Sequence, residues 1–428
     1  MSAVAVSSAE SSPAPGLRRL LVPGADTSWS QHLERHGPLP QRAGRRASLV
    51  TEVERSGLAG RGGAGFPTAV KLRAVAAGGS SIVVANGTEG EPASAKDRVL
   101  MTYNPHLVID GVLVALAAVS GDRAVIAVSR RAQSAHAGLT AALAERRVDA
   151  RKIELVSVPD RFVAGEESAL VNWLNGGDAK PTFTPPRPFE WGVDGRPTLV
   201  QNVETLANLG LIARYGADWF RNAGTDAEPG TVLVTMRGGV RRPGVIEAEL
   251  GTPLRQLVDR CGGLAAPAQA VLVGGYFGSW IDAAGNLDLP LSDAALRPYG
   301  AALGARAVAV LPHGTCGVAE TARVARYLAG ESAGQCGPCV FGLPAVAQAL
   351  ESIAAGAPDA ARSLERLPRL SAQIAGRGAC RHPDGALRFV DSAVRVFADE
   401  IELHLAGRCS ATTSEPVLPT NPETTEWR

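Results

Sequence analysis

The chain is 428 residues long and 45% apolar, which sets a soft prior of two to four domains and supplies enough apolar side chains to fill real cores. Its 43 Lys and Arg against 42 Asp and Glu leave a net charge of +1, so no global field draws it to nucleic acid or to an anionic membrane surface. No apolar run approaches the roughly 20 residues of a bilayer span, and the Ser/Ala/Pro-rich start lacks a basic stretch before an apolar core. The expectation is therefore a cytoplasmic protein without direct membrane insertion.

Residues 1–47 mix Ser, Ala, Pro and Arg without periodicity and read as a flexible N-terminal extension. From 48 to 228, the β-branched runs SIVVA (81–85), AVIAV (124–128) and IELVSV (153–158) alternate with helical patterns, which predicts a Rossmann-like parallel α/β domain. Residues 229–308 read strand, tight turn, strand, helix and strand pair, the pattern of a small β-grasp domain. Residues 309–408 carry apolar positions three and four apart and predict a helical bundle, and the Thr/Pro/Glu-rich tail 409–428 reads as disordered.

The segment SGLAGRGGAGFPTAVK (56–71) satisfies G-x-G-x-x-G through Gly60, Gly62 and Gly65, but the residues before it look helical and end at Gly57 as a C-cap does. A dinucleotide fingerprint follows a strand, so a first-strand Rossmann loop is disfavoured. Two readings remain: a tight helix-to-helix connection, or a loop whose amides approach a phosphate or planar ring beside Arg61 and Lys71. SIVVA runs directly into NGTEGEPASAKDR (86–98), placing polar groups at the carboxyl end of a parallel strand, where α/β sheets bind ligands. RFVAGEESALVNWL, KPTF and LVQNVETLAN follow; Glu166 and Glu167 there could simply complement a helix dipole.

All six cysteines lie in the C-terminal half: Cys261, Cys316, Cys336, Cys339, Cys380 and Cys409. Cys336 and Cys339 form C-x-x-C, and with the distant Cys380 they can converge on one metal or cluster. CGPC is also a thioredoxin-type motif, but here it follows an amphipathic helix rather than a strand. Cys261 and Cys409 read as incidental.

GRGGAGFPT, NGTEGEP, KDR, GEESAL, KP-x-F and NVETLAN, in this order, resemble the flavin-bearing, NADH-oxidising subunit of respiratory complex I and its relatives in NAD-reducing hydrogenases and formate dehydrogenases. The resemblance runs from about residue 50 to about 405, and the fit is to a soluble paralogue that feeds a small ferredoxin. It implies that Gly60, Arg61, Gly62, Gly63 and Lys71 hold FMN, with Arg61 and Lys71 on its phosphate side, and that Asn202 and Thr205 complete that site. Asn86, Glu89, Glu91, Gly165, Glu166 and Glu167 would line the flavin and nicotinamide pocket, with Glu91 and Glu167 orienting the nicotinamide and its ribose. Phe66 and Phe183, with Lys180 nearby, would flank the adenine of NADH. Cys336, Cys339 and Cys380 would carry a [4Fe–4S] or [3Fe–4S] cluster passing single electrons to a ferredoxin-like, other iron–sulfur or quinone-linked partner.

The chain departs from the family pattern at Thr88 (Asp in the family), Phe162 (Tyr), Ala164 (Cys), Gln201 (Asn) and Ala333, where the family has the first cluster cysteine. Cys316, His313 and His382 are the nearest candidates for a fourth ligand, without support from spacing. The competing expectations are a cluster-free scaffold that binds a nucleotide without turnover and a CGPC thiol–disulfide protein.

Overall fold

The structure is a computed structural model and describes residues 19–22, 26–40, 46–421 and 426–428. The first domain runs α1 (Trp29–His36), α2 (Arg46–Ser56), α3 (Thr68–Ala76), β1 (Ser81–Gly87), α4 (Lys96–Tyr103), α5 (Pro105–Val119), β2 (Gly121–Ser129), α6 (Gln133–Glu145), β3 (Ile153–Val158), α7 (Glu167–Leu174), β4 (Thr198–Asn202) and α8 (Val203–Arg221). Its four strands are all parallel in the order β3-β2-β1-β4. Helices cover both faces, so β1 and β2 are near-continuous apolar runs rather than alternating ones. Because β1 pairs with β2 on one side and β4 on the other, the chain reverses direction across the sheet between β1 and β4. Such a switch point opens a crevice at the strand carboxyl ends. There, Asn86 and Asn202 lie side by side in register.

The helix α5 is apolar nearly all round because it is a core helix, and Gly111 on it meets the backbone of α8: a Cβ at that position would lie 1.9 Å from Leu206 O. Among the described residues no single helix is long and apolar enough to cross a membrane. The bent pair α4 and α5, at 97°, matches in length and composition only, and α5 is buried within this domain.

The second domain comprises β5 (Thr231–Gly238), β6 (Gly244–Glu249), α9 (Leu254–Arg260), β7 (Ala268–Val273), β8 (Ser279–Asp282), α10 (Asp293–Leu296) and β9 (Ala307–Pro312). Its mixed five-stranded sheet has the order β6-β5-β9-β7-β8, with β9 parallel to β5 at its centre. A boundary at 308/309 therefore cuts a central strand, and the sheet runs on to Pro312. The third part is helical: α11 (Gly317–Gly330), α12 (Leu343–Ala354), α13 (Ala360–Ile374), α14 (His382–Val396) and α15 (Ala398–Leu405).

The ends of the chain differ from expectation. Within the stretch read as a flexible extension, Arg19, Leu20 and Leu21 are buried and their amides converge on Glu247 Oε2 at 3.1, 2.9 and 3.2 Å. In α1, His32 Nε2 meets the buried carboxylate of Asp110 at 2.6 Å. The remainder of that stretch, residues 1–18, 23–25 and 41–45, lies outside the described residues. The tail read as disordered is docked at points along its described residues: Leu418 is 1% exposed, Pro419 O accepts from the Tyr276 hydroxyl, and Trp427 O accepts from Ala179 N at 2.8 Å, while residues 422–425 lie outside the described residues. Polar composition misleads at both ends because a few apolar or amide groups dock into grooves that other domains provide.

Candidate functional site

The glycine loop joins α2 to α3, so it follows a helix, as Gly57 with φ of +69° signals. Gly60 N donates to Phe66 O at 2.8 Å and Thr68 N to Leu58 O at 3.0 Å, closing the loop on itself. Gly63 and Gly65 have φ of +121° and +63°, conformations that side chains rarely adopt. Gly62 lies against the end of β4, where a Cβ would sit 3.1 Å from Asn202 Cβ, whereas a Cβ on Gly65 would meet nothing within 4 Å. The loop thus rests on the sheet edge with one side facing open space.

Arg61 is placed differently from expectation. Its amide donates to Thr205 Oγ1 at 2.8 Å, but its guanidinium is buried and donates to Pro229 O at 3.2 Å, at the junction with the second domain. Burial, reinforced by neighbouring Arg306, lowers its pKa to about 9. Arg306 in turn donates to Arg61 O at 2.6 Å and Gly60 O at 3.2 Å. The side chain of Arg61 therefore braces the loop from behind, and the cation beside the crevice is Lys71. Lys71 Nζ lies 2.8 Å from Val200 O and 3.1 Å from the Glu167 carboxylate.

Asn86 and Asn202 stitch the crevice together. Asn86 Nδ2 donates to Gly165 O at 2.8 Å, while Asn202 caps α8, accepting from Glu204 N at 3.0 Å, and donates to Asp97 at 2.8 Å. Gly165 is required by close approach, since a Cβ there would lie 2.7 Å from Thr88 O. Glu89 is not a free pocket acceptor: its carboxylate takes the amides of Asp97 and Arg98, each at 3.2 Å, and the Ser94 hydroxyl at 2.5 Å, at the start of α4. Glu166 likewise caps α7 through the amides of Ser168 and Ala169 at 3.0 and 3.1 Å, so the helix-dipole reading holds for it. Glu91 accepts from Ala93 N at 3.1 Å and from Tyr276 N, in the second domain, at 2.8 Å. Burial pushes its carboxyl up to about 7 against those two hydrogen bonds, with the charge of Glu89 adding to the rise.

Phe66 and Phe183 are 52% and 84% exposed, available as open aromatic faces. Lys180 Nζ pairs with Asp178 at 3.3 Å and sits 5.1 Å from the ring of Trp427, over which Arg161 also stacks at 4.1 Å. Sequence reasoning missed Trp427, Tyr276 and the buried group Lys96, Asp97 and Glu204. Lys96 Nζ lies 2.7 Å from Asp97 and 2.9 Å from Glu204. Burial disfavours the ammonium, but the two carboxylates outweigh this and raise its pKa. The available signal was KDR itself, three charges entering a helix and running directly into the apolar Val99, Leu100 and Met101.

Cys336 lies in the loop after α11, Cys339 in the helical turn Pro338–Gly342 that runs on into α12, and Cys380 just before α14. Burial pushes the Cys339 thiol up to about 12, with Cys336 and Cys380 adding to the rise, so the three sulfurs share one neighbourhood. Burial also raises Cys380, and the carboxylate of Glu166 contributes. Between crevice and cysteines, Phe162 packs 4.8 Å from Phe277 and 5.7 Å from His382, centroid to centroid. Of the fourth-ligand candidates, Cys316 is instead 3.2 Å from His404, and His313 is exposed at the end of β9. His382 Nε2 is 2.8 Å from Leu328 O, leaving Nδ1 buried without a hydrogen-bond partner. The CGPC pair opens the helix that runs through Pro338–Gly342 into α12, but it follows α11 rather than a strand, so the strand that precedes a thioredoxin site is missing.

The donor chemistry fits the implied groups. An open glycine loop, a lysine, two asparagines and a threonine at a switch point suit a phosphate and a polar ring. Three converging thiols suit three corners of an iron–sulfur cluster, with Ala333 where a fourth cysteine belongs.

Comparison with known proteins agrees. The Nuo51 FMN-binding domain family matches residues 53–210, the SLBB domain residues 233–275, and the NADH-ubiquinone oxidoreductase-F iron-sulfur binding region residues 319–404. The NADH-quinone oxidoreductase-F subunit of Streptomyces coelicolor is 34% identical over 378 residues, 84% of this chain and 83% of that protein. Its Escherichia coli counterpart is 32% identical over 374 residues, 83% of each. A crystal structure of NAD+-reducing [NiFe]-hydrogenase in the H2-reduced state aligns with a TM-score of 0.78 at 31% identity, covering 86% of this chain and 64% of that one. The chain belongs to the family of NADH-quinone oxidoreductase-F subunits, and carries that family's flavin, SLBB and iron–sulfur regions in order.

Proposed function

We propose that this chain oxidises NADH at an FMN held over the carboxyl ends of β1 and β4, and hands the electrons singly to a partner that carries its own iron–sulfur centres. Bound FMN supplies a two-electron acceptor that can release electrons one at a time, and a cluster on Cys336, Cys339 and Cys380 supplies the one-electron relay. The protein's part is placement. Lys71 and the amides of the Gly62–Gly65 turn counter phosphate charge, while Gly60 N on Phe66 O and Arg61 N on Thr205 fix the loop, with Gly62 against Asn202. Glu91 and Glu167 orient the nicotinamide and its ribose rather than act as acid or base, because hydride transfer to a flavin needs no protein nucleophile. Phe66 and Phe183 offer ring faces to the adenine.

The observation that carries this reading is the junction between crevice and cysteines. The segment Phe162–Glu167 borders the crevice through Gly165 and Glu167, and reaches the cluster side through Phe162 on His382 and Glu166 beside Cys380. Val340 and Phe341, exposed next to Cys339, mark the face at which the partner takes electrons, and a small cytoplasmic ferredoxin is the partner we favour. Purified protein analysed for flavin, iron and sulfide, then given NADH without oxygen, tests the reading. Bleaching of a flavin band in an iron-containing protein supports it. Absence of both flavin and iron would leave the cluster-free scaffold.

A further inference from the structure

Four side chains unused by that chemistry meet where α11 starts, α15 ends and the tail begins: Cys316, Glu400, His404 and Cys409. Among the described residues they are the one group of three or more Cys, His, Asp or Glu whose ligand atoms all lie within 4.8 Å of one another. Cys316, Glu400 and His404 are buried and Cys409 is exposed. Cys316 Sγ lies 3.2 Å from His404 Nε2, which lies 3.3 Å from Glu400 Oε1.

The local structure explains how the four converge. Glu400 and His404 are four apart on α15 and project from one face. Cys316 caps the fourteen-residue helix α11, its Sγ accepting from Ala319 N at 3.3 Å. After Gly407, whose φ is +71°, the chain turns back and brings Cys409 to the group. Next along, Ser410 donates to both Glu400 oxygens, through its amide to Oε1 at 2.9 Å and through its hydroxyl to Oε2, as outer partners orient metal-binding carboxylates.

We propose that Cys316, Glu400, His404 and Cys409 form a four-coordinate structural zinc site, separate from the iron–sulfur cysteines. With Zn–S near 2.3 Å and Zn–N or Zn–O near 2.0–2.1 Å, the edges of a tetrahedron run from about 3.3 to about 3.8 Å. The separations at His404, 3.2 and 3.3 Å, are close to the short end of that range. Two thiolates, an imidazole and a carboxylate form a borderline-soft set that suits zinc, whereas calcium and magnesium take oxygen ligands. Four protein ligands leave no open position, so the ion holds structure and performs no catalysis. Binding releases the two thiol protons to solvent and changes no oxidation state.

The ion fastens a strap. Beyond Cys409, Thr412 and Thr413 donate to Gly314 O at 2.9 and 3.1 Å, Leu418 is buried, and Pro419 O accepts from Tyr276, whose amide holds Glu91. The zinc site therefore secures a tail that lies over the back of the crevice.

Zinc and iron per chain, measured by elemental mass spectrometry on the full-length protein, test this. About one zinc per chain is expected after desalting. Cys409→Ser, at the exposed ligand, and His404→Gln should each lower zinc at least about tenfold at unchanged iron content. Cobalt(II) in place of zinc should give the visible bands of tetrahedral thiolate coordination, lost in Cys409→Ser. Zinc absent from the wild type, zinc equal in wild type and Cys409→Ser, or an intact mass lowered by two hydrogens from a Cys316–Cys409 disulfide would each overturn the proposal.

Discussion

Glu91→Gln tests the pocket's electrostatics most sharply. Each oxygen of Glu91 accepts one amide, Ala93 N at 3.1 Å and Tyr276 N at 2.8 Å. Glutamine keeps one acceptor and turns an NH2 group toward the other amide, leaving a buried donor unpaired at a cost of about 1–3 kcal/mol. The larger consequence is a lost titration. With its carboxyl raised to about 7 by burial, Glu91 goes from about one-tenth ionised at pH 6 to about nine-tenths at pH 8. Tyr276 N, Ala93 N, Glu89 and Arg237 are the groups that face it. If the ionised form orients the nicotinamide, kcat/KM for NADH with ferricyanide rises about tenfold from pH 6 to pH 8 in the wild type. In Glu91→Gln it should be flat, at or below the wild-type value at pH 6. A variant that keeps both the wild-type rate and the wild-type rise would refute the role assigned to Glu91.

Further expectations concern stability, the cluster and the partner. Burial alone would raise the Asp110 carboxyl, but the hydrogen bond from His32 and the charges of Arg146 and Arg214 outweigh it and hold it at about 2. A depressed folded pKa adds stability above the unfolded value near 4 that is lost as pH falls through 2, about 2 kcal/mol here; Asp110→Asn should remove this dependence in acid denaturation. Cys380→Ser should lower iron per chain while flavin content and ferricyanide reduction persist, as metal and flavin analyses would read. Phe341, 76% exposed beside Cys339, should matter only for the protein acceptor: Phe341→Asp lowers ferredoxin reduction several-fold and leaves ferricyanide reduction unchanged.

Where one segment carries both the pattern and the role, the sequence was legible. SIVVA, AVIAV and IELVSV became β1, β2 and β3, and the helix-capping Gly57 separated the glycine loop from a first-strand fingerprint. Two strands escaped notice. TLVQN is short and ends in polar residues because its last residue caps α8, and AVAVLP ends in proline ahead of a helical region. The direction of Arg61 was not legible because a cation beside a glycine loop looks the same whether it faces the crevice or the domain behind it. Cys409 looked incidental because its partners, Cys316, Glu400 and His404, are brought to it only by the packing of α11 against α15. Local pattern fixes an element and its caps, while pairings across distant segments depend on topology.

The central claim, that electrons from NADH cross a flavin and reach a cluster on three cysteines, is tested most directly by an anaerobic NADH titration followed by absorbance and low-temperature EPR. FMN stores two electrons and the cluster one, so the protein should take up about three electrons per chain, with a cluster signal that vanishes in Cys380→Ser. Uptake of about two electrons without a cluster signal, or of none, would contradict it.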